Sequence, residues 1–327
     1  MKNPIKSKLI ITILIILCLV TILIPAGKAY AMAGDGTVSD PYVITTVNDL
    51  QNISLDLTAN YTLGNDIDAS ATSGWNGGAG FVPLGDNPID MFNGSLDGCG
   101  YTITGLFINR SSTDGVGLFG LMDVGSVERV GLINVNITGH FYVGGLVGYN
   151  AGGISNSYVT GNVSGNIMVG GLVGAFALGT IVNSYSTCRV TGLALAGGLI
   201  GAASGSGTNV SCYWDNQTSG CLTSVGGEGK TTAEMKQQAT FVGWNFTIPP
   251  IIWYITEGVS YPSFQAPSPT PTPTPSPFNR SLLLVIALVW VCIGLLFMVA
   301  NTEEGIFIMI IIALLIIAGV AAIVPLL

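Results

Sequence analysis

The middle of the chain alternates short apolar runs with glycines at a regular spacing. A motif of glycine, leucine, a second apolar residue and glycine recurs there, starting at Gly117, Gly145, Gly171 and Gly198. The starts are 28, 26 and 27 residues apart. A second pattern lies between these motifs, at Ile154–Gly161, Ile181–Thr187 and, in degenerate form, Val210–Trp214. A period near 27 with short β-type runs predicts one coil of a solenoid per repeat.

Each repeat has too little apolar surface to fold alone, so we expect parallel strands of successive coils to stack about 4.8 Å apart. A helical repeat would bury paired glycines such as Gly144–Gly145 at about 1 kcal/mol each, which argues against it. We expect the glycines to provide tight corners with positive φ. Equivalent residues should form an inward leucine column and a tyrosine stack: Leu118, Leu146, Leu172 and Leu199; Tyr158, Tyr185 and Tyr213.

These repeats resemble the GLUG motif, which is named for its Gly-Leu-x-Gly core and occurs in bacterial and archaeal surface proteins and in non-catalytic parts of large adhesins and proteases. The resemblance spans about Pro41 to Phe264. It includes Asn65–Asp68, Phe92–Gly98, Tyr101–Leu106, Gly243–Phe246 and Trp253–Ile255. It implies an all-β fold, a parallel β-helix with the right-handed form favoured, and it determines no activity.

A solenoid must protect both of its ends. The sequence predicts a repeat domain over residues 34–266, with clear repeats at 115–220 and capping regions at 40–68 and 231–264. A short helix is predicted at Val47–Leu55 with Asn48 as its cap. A second is predicted at Thr231–Gln238, with Thr231 as its cap and Glu234 in the capping-box position.

The two ends of the chain predict its cellular location. Three lysines precede the apolar run Leu9–Ile24, and Ala29–Ala31 offers a small-x-small cleavage site, so residues 1–31 have the order of a secretory signal peptide. An uncleaved N-terminal anchor is the alternative.

Residues 281–300 and 305–327 are uncharged stretches that as helices would extend about 30 and 35 Å, enough to cross a bilayer. The polar segment Asn301–Glu304 predicts a hairpin between them. Alternating prolines at 267–278 predict an extended stalk of roughly 35 Å. We therefore expect a location in the cell membrane, with lipid around the tail and the repeat domain outside.

The amino-acid composition limits the classes of partner that the chain can bind. The chain has 45 glycines and only 9% charged residues. The segment from Gly34 to Arg280 contains sixteen acidic and six basic residues, which gives it a net charge of about −10. Nucleic acid is excluded as a partner, because phosphate binding needs a basic stripe.

Candidate catalytic chemistry is sparse. His140 is the only histidine, which excludes multi-histidine metal sites, and it is predicted in a solvated turn. The pairs Asp66 with Asp68 and Asp86 with Asp90 could serve glycan hydrolysis or calcium binding. Turn capping is the favoured interpretation. We expect no catalytic residue, metal or cofactor.

Four cysteines lie in the predicted exported part, Cys99, Cys188, Cys212 and Cys221, and they allow three pairings in an oxidising compartment. Cys212 with Cys221 is the simplest disulfide, since it closes a short loop, while Cys188 competes from about one coil earlier. Ten Asn-x-Ser/Thr sequons are candidate glycosylation sites or structural asparagines: Asn52, Asn60, Asn93, Asn109, Asn136, Asn162, Asn209, Asn216, Asn245 and Asn279.

The favoured function is a membrane-anchored surface protein with a structural, adhesive or binding role toward surface glycans or proteins, because repetition creates long lateral faces. A polysaccharide lyase or hydrolase is one alternative, since β-helices host such enzymes. The other is an ectodomain subunit of a membrane complex that assembles through the two-helix tail.

Overall fold

The computed structural model describes residues 32–264, and the predicted signal peptide, stalk and transmembrane segments lie outside them. Over this range the chain is a β-solenoid that visits four parallel sheets in turn, so the predicted all-β architecture is confirmed. Among the helices described, none combines the length and apolar character needed to span a bilayer.

The strands are numbered β1 to β25 in chain order. Sheet 1 contains β1 (Tyr42–Ile44), β2 (Asn60–Leu63), β4 (Ser95–Asp97), β8 (Ser126–Glu128), β12 (Gly153–Ser155), β16 (Thr180–Val182) and β21 (Thr208–Val210). Sheet 2 contains β3 (Ile67–Asp68), β5 (Thr102–Thr104), β6 (Phe107–Asn109), β9 (Gly131–Thr138), β13 (Tyr158–Ser164), β17 (Tyr185–Ser186), β18 (Arg189–Thr191), β22 (Tyr213–Asp215) and β23 (Glu228–Lys230). Sheet 3 contains β10 (Phe141–Gly144), β14 (Ile167–Gly170) and β19 (Ala194–Gly197). Sheet 4 contains β7 (Phe119–Met122), β11 (Val147–Asn150), β15 (Val173–Phe176) and β20 (Ile200–Ala203).

The strand register follows the sequence repeat. Val147 pairs with Phe119 on one side and with Val173 on the other, and Val173 pairs in turn with Ile200. The motif leucines lie at equivalent positions one residue earlier and have no exposed surface: Leu118, Leu146, Leu172 and Leu199. Each coil therefore adds one leucine to the interior.

The glycines that directly precede three of the motifs are required by close contact rather than by φ. A Cβ on Gly144, Gly170 or Gly197 would lie 2.1, 1.9 or 2.0 Å from the carbonyl oxygen of the residue three positions later. No real Cβ approaches an oxygen so closely. Positive φ occurs at other glycines of the repeats, Gly115, Gly161 and Gly179, as expected. It also occurs at non-glycine corners: Arg129, Asn156, Asn183 and Ser211 between sheets 1 and 2, and Tyr142, Met168 and Leu195 in sheet 3.

The N-terminal end is closed by helix α1 (Val47–Asn52) and a 3₁₀ turn at Ile53–Leu55. Thr46, not Asn48, is the cap: its side chain accepts from the amide of Asp49 (3.1 Å), and the Asp49 carboxylate accepts from the Thr46 amide (2.9 Å). The prediction of Asn48 is wrong because Asn48 already lies within the first turn. Leu50 and Ile53, both fully buried, close the interior.

Residues 231–264, called the cover segment from here on, pack on the outer side of sheet 2. Thr231 and Glu234 form the predicted reciprocal hydrogen bonds (2.8 and 3.3 Å), but only 3₁₀ turns follow, at Glu234–Lys236 and Gln238–Thr240. An antiparallel pair ends the segment, β24 (Trp253–Tyr254) with β25 (Ser263–Phe264). The remaining 3₁₀ structure lies at Ser70–Gly78. The cover segment thus protects a lateral face of the solenoid.

Candidate binding surfaces

The predicted carboxylate pair Asp66 and Asp68 is used for turns. Asp66 accepts from the amide and hydroxyl of Thr102 (2.7 and 3.0 Å), which ties two successive coils together. Asp68 accepts from the amide of Ser70 (2.9 Å). Hydrogen bonds from Ser70 lower the pKa of Asp68. The Asp68 contact supports the turn-capping interpretation, whereas Asp66 has a structural role between coils.

The second predicted pair lies in an exposed loop. Asp90 accepts from Nδ2 of Asn87 (3.2 Å), and its amide donates to Oδ1 of the same residue (3.0 Å), while Asp86 is exposed. His140 lies elsewhere, at the turn before β10, where Nδ1 is 2.8 Å from Oδ1 of Asp114. The structure does not bring the histidine and the carboxylate pairs into one site.

A charged pair that sequence reasoning missed lies at the corner between sheets 1 and 2. Arg129 reaches back one coil to Asp97: Nε donates to Oδ1 (3.0 Å) and Nη2 to Oδ2. Glu128, the strand partner of Asp97, lies 3.7 Å from Arg129. Burial and the Asp97 carboxylate raise the pKa of Glu128. Asp97 and Arg129 are 32 residues apart, more than one repeat of about 27, so the sequence period did not reveal this pair.

All four cysteines within residues 32–264 are free thiols, so the Cys212–Cys221 disulfide is not formed in the structure. Sγ of Cys212 is instead directed at the carbonyl oxygens of Val210 and Ile181 (3.3 and 3.4 Å). Burial raises the pKa of Cys188 to about 12 and that of Cys212 to about 11. Both thiols therefore stay neutral at ordinary pH.

The sequons differ in how their side chains are used. Nδ2 of Asn60 donates to the carbonyl of Gly36 (3.0 Å), and Nδ2 of Asn245 donates to two carbonyls, those of Ile248 and Pro250 (2.8 and 2.9 Å). Asn52 is half-buried. Asn279 lies outside the described residues. The other sequon asparagines are exposed: Asn93, Asn109, Asn136, Asn162, Asn209 and Asn216.

The tyrosine column of the repeats lies under the cover segment. Tyr158 and Tyr185 stack with ring centroids 5.1 Å apart and planes 3° from parallel. Trp253 packs on both rings, and Tyr185 donates its hydroxyl to the carbonyl of Pro262 (2.5 Å). Nε1 of Trp253 is buried without a hydrogen-bond partner among the described residues, and its surroundings are aromatic faces that can accept an N–H. This aromatic cluster is a second core, outside the solenoid.

Sheet 1 presents a lateral face that is exposed on its later strands. Short polar side chains repeat there strand after strand, in register, along one outward column: Asn60, Ser95, Ser126, Thr180 and Thr208, interrupted by Gly153. At the last strand, β21, this face borders an open groove of about 500 Å³. The groove is lined by Asn209, Ser211, Cys212 and Tyr213 on one side and by residues 225–228 on the other. Among residues 32–264, no cluster of three or more His, Cys, Asp or Glu side chains is arranged to hold a metal.

Comparison with known proteins identifies the repeat. Residues 139–164, which hold the four strands β10 to β13, match the family model described as the GLUG motif. A stretch of 139 residues is 45% identical to Halomucin of Haloquadratum walsbyi, covering 39% of this chain and 2% of that protein. A stretch of 141 residues is 37% identical to a protein of Evansella cellulosilytica named "Putative Gly-rich membrane protein", covering 40% of this chain and 16% of the relative. The chain therefore spans only a small part of either relative.

Among solved structures, the chain is similar to one described as a "putative immunoglobulin A1 protease" from Bacteroides ovatus. The identity is 19% and the TM-score 0.46, over 73% of this chain and 96% of the other. The matched motif lies where the structure places one regular coil, and its leucine and glycines have the buried and closely packed positions described above. Residues 139–164 thus carry a GLUG motif, and the resemblance of the repeats to that motif is confirmed there.

Proposed function

We propose that this protein is a membrane-anchored cell-surface protein whose β-solenoid serves a structural, adhesive or binding role outside the cell. The observation that carries the proposal is the in-register polar face of sheet 1, which repeats equivalent side chains at the strand spacing of about 4.8 Å. A surface with such a repeat suits contacts with extended polymers, either surface glycans or other surface proteins. The names of the two relatives, a mucin-like name and a membrane protein, support the location.

We also propose that the domain is not an enzyme. The carboxylates of Asp68 and Asp90 hold turns, that of Asp66 binds Thr102 of the next coil, and that of Asp97 binds Arg129. A glycoside hydrolase needs two carboxyl groups facing one substrate bond, with one free to protonate the leaving group. Incubation of the protein with a panel of polysaccharides, followed by reducing-end assay, should release no sugar. Turnover that is lost on substitution of Asp97 or Glu128 would contradict this.

Protease shaving of intact cells tests the location. A protease added outside should release a fragment that ends near the stalk at 267–278 and contains the solenoid, while the tail stays with the membrane fraction. Strands β7 to β20 should survive digestion, because their amides are hydrogen-bonded to neighbouring coils. Recovery of the intact chain in the soluble fraction after lysis, with no fragment from shaved cells, would reject membrane anchoring.

A further inference from the structure

The last coil follows a shorter path than the coils before it. After β21 and β22 the chain reaches sheet 4, where the amide of Gly198 donates to Thr223 (3.3 Å) and the amide of Val225 donates to Ile200 (3.2 Å). It then crosses directly to sheet 2, where the amide of Glu228 donates to Cys212 (2.8 Å) and β23 pairs with β22. Within residues 32–264, no further strand of sheet 1 follows β21.

The groove described above occupies the position of that missing strand. It lies between Asn209 and Ser211 on the side of β21 and the crossing segment at residues 225–228. A strand added to sheet 1 would lie about 4.8 Å from β21, on the side of this open groove.

The backbone of β21 is arranged to accept a strand. The amide of Thr208 donates to Gly179 (3.1 Å), and the carbonyl of Val210 accepts from Asn183 (3.1 Å), so residues 208 and 210 bond to the β16 side. Backbone groups alternate in direction along a strand, which turns the N–H and C=O of Asn209 toward the groove. All three residues of β21 are exposed. A sheet edge with such groups is a template for another strand.

We infer that an extended segment of a partner polypeptide adds to sheet 1 beside β21. The inference deepens the binding role proposed above and does not depend on membrane anchoring. The crossing segment at 225–228 walls the edge, so a thin peptide fits the groove and a second solenoid edge does not. The chain's own stalk at 267–277 is unsuited, because every second residue is a proline without an amide donor.

Side chains and charge define the partner further. On the outer face of sheet 1, Thr180 pairs with Thr208 and Val182 pairs with Val210, which forms two columns of β-branched side chains. An added strand with β-branched residues at alternate positions would continue both columns. Residues 32–264 contain sixteen acidic and five basic side chains, which disfavours an anionic peptide. The partner segment is thus extended, β-branched and not negatively charged.

Peptide binding to the full-length protein in detergent tests the inference. The probe is a fluorescent peptide with the sequence of residues 178–184, Leu-Gly-Thr-Ile-Val-Asn-Ser, which includes the strand that already pairs with β21 on its other side. Anisotropy should report saturable binding. The same peptide with proline in place of its valine should bind at least about tenfold more weakly, because in the register of β16 and β21 the valine amide is the one that faces the Asn209 carbonyl.

Two variants of Asn209 locate the binding. Asn209→Pro removes the amide that faces the groove while leaving both bonds to β16, and proline is tolerated at such edge positions; it should weaken binding about tenfold. Asn209→Ala removes the side chain that accepts from Gly227 (3.0 Å) but keeps the backbone, and should bind within about threefold of the original protein. Circular dichroism checks that both variants fold.

Hydrogen exchange on the unaltered protein gives a second measurement, since bound peptide should slow exchange of the Asn209 amide. Absence of saturable binding, unchanged binding by folded Asn209→Pro, or displacement of the peptide by a neutral oligosaccharide would overturn the inference. Such a result would leave the shaving experiment unaffected, and a failed shaving experiment would leave peptide binding unaffected.

Discussion

Tyr261 donates its hydroxyl to Oδ2 of Asp215 across 2.6 Å, and this contact joins the cover segment to the last strand of the tyrosine column. Asp215 is fully buried, and its carboxylate also accepts from the hydroxyl of Thr232 (2.7 Å) and from the amides of Gln217 and Thr218 (2.8 and 3.1 Å). A buried carboxyl group is tolerated only when such donors surround it. Two of the four donors come from the cover segment, so its docking and the burial of Asp215 depend on each other.

Tyr261→Phe should loosen the cover segment. The substitution removes one donor to a buried carboxyl group while keeping the ring, and a loss of about 1 to 3 kcal/mol in the free energy of unfolding is expected. Urea denaturation followed by tryptophan fluorescence measures this change, because Trp244 and Trp253 lie in the aromatic cluster. Chymotrypsin should also cut within the cover segment sooner than in the original protein.

Tyr254→Phe is the matched control, since Tyr254 belongs to the same segment but is 55% exposed. Its effect should stay within about 0.5 kcal/mol. Equal stabilities for the Tyr261 and Tyr254 variants would mean that the Asp215 contact does not hold the segment.

The repeat made the solenoid predictable, because stacking leaves equivalent residues in register. A spacing of 26 to 28 residues was enough to place Leu146 beside Leu172 and Tyr158 beside Tyr185. Periodicity does not reveal why a glycine recurs at a given position. At Gly144, Gly170 and Gly197 a side chain is excluded by a neighbouring carbonyl oxygen, and φ is not the reason. Local signals also failed to distinguish Thr46 from Asn48 as a cap, since both are good capping residues.

The groove at β21 could not be read from the sequence for a different reason. It exists because residues 223–228 omit sheet 1, and an omitted strand has no residue pattern of its own. The Asp97–Arg129 pair was hidden in a similar way, because that coil is longer than the repeats that follow it and sequence spacing does not show the register. Both features lie where the chain departs from its repeat, and such places can be found only from the structure.

Gly170→Ala should be strongly destabilising. The added Cβ would lie 1.9 Å from the carbonyl oxygen of Val173 and 2.7 Å from the amide nitrogen of Gly201, so backbone on two coils must move. A loss of at least about 2 kcal/mol in the free energy of unfolding is expected, as for other overpacked sites. Gly153→Ala in β12 is the control, because the nearest atom to its added Cβ would lie 3.8 Å away. Similar melting temperatures for both variants would contradict the contact argument.

Glycosylation should discriminate between sequons by the use of their amide nitrogens. Asn245 donates both N–H groups of Nδ2 to carbonyls, and an attached glycan must break one of these bonds, whereas Asn162 is exposed on β13. When the protein is expressed in a host that N-glycosylates secreted chains, we expect glycan at Asn162 and none at Asn245. Mass spectrometry of tryptic or chymotryptic peptides measures occupancy at each site. Modified Asn245 in folded protein would disprove the selection rule.

Alkaline pH should destabilise the fold through its buried thiols. Folded Cys188 has a pKa raised to about 12 by burial, against an ordinary value of 9.0, so above about pH 9 the unfolded chain releases a proton that the folded chain retains. Proton release on unfolding makes the free energy of unfolding fall as pH rises. This contribution is complete below pH 9 and declines as the pH approaches 12.

Buried tyrosines such as Tyr185 titrate in the same direction, so the thiol is isolated by comparing the original protein with Cys188→Ala between pH 8 and 11. The variant should start less stable, because it leaves a cavity, and should lose less stability over that range. Parallel curves for the two proteins would show that Cys188 does not contribute to the pH dependence.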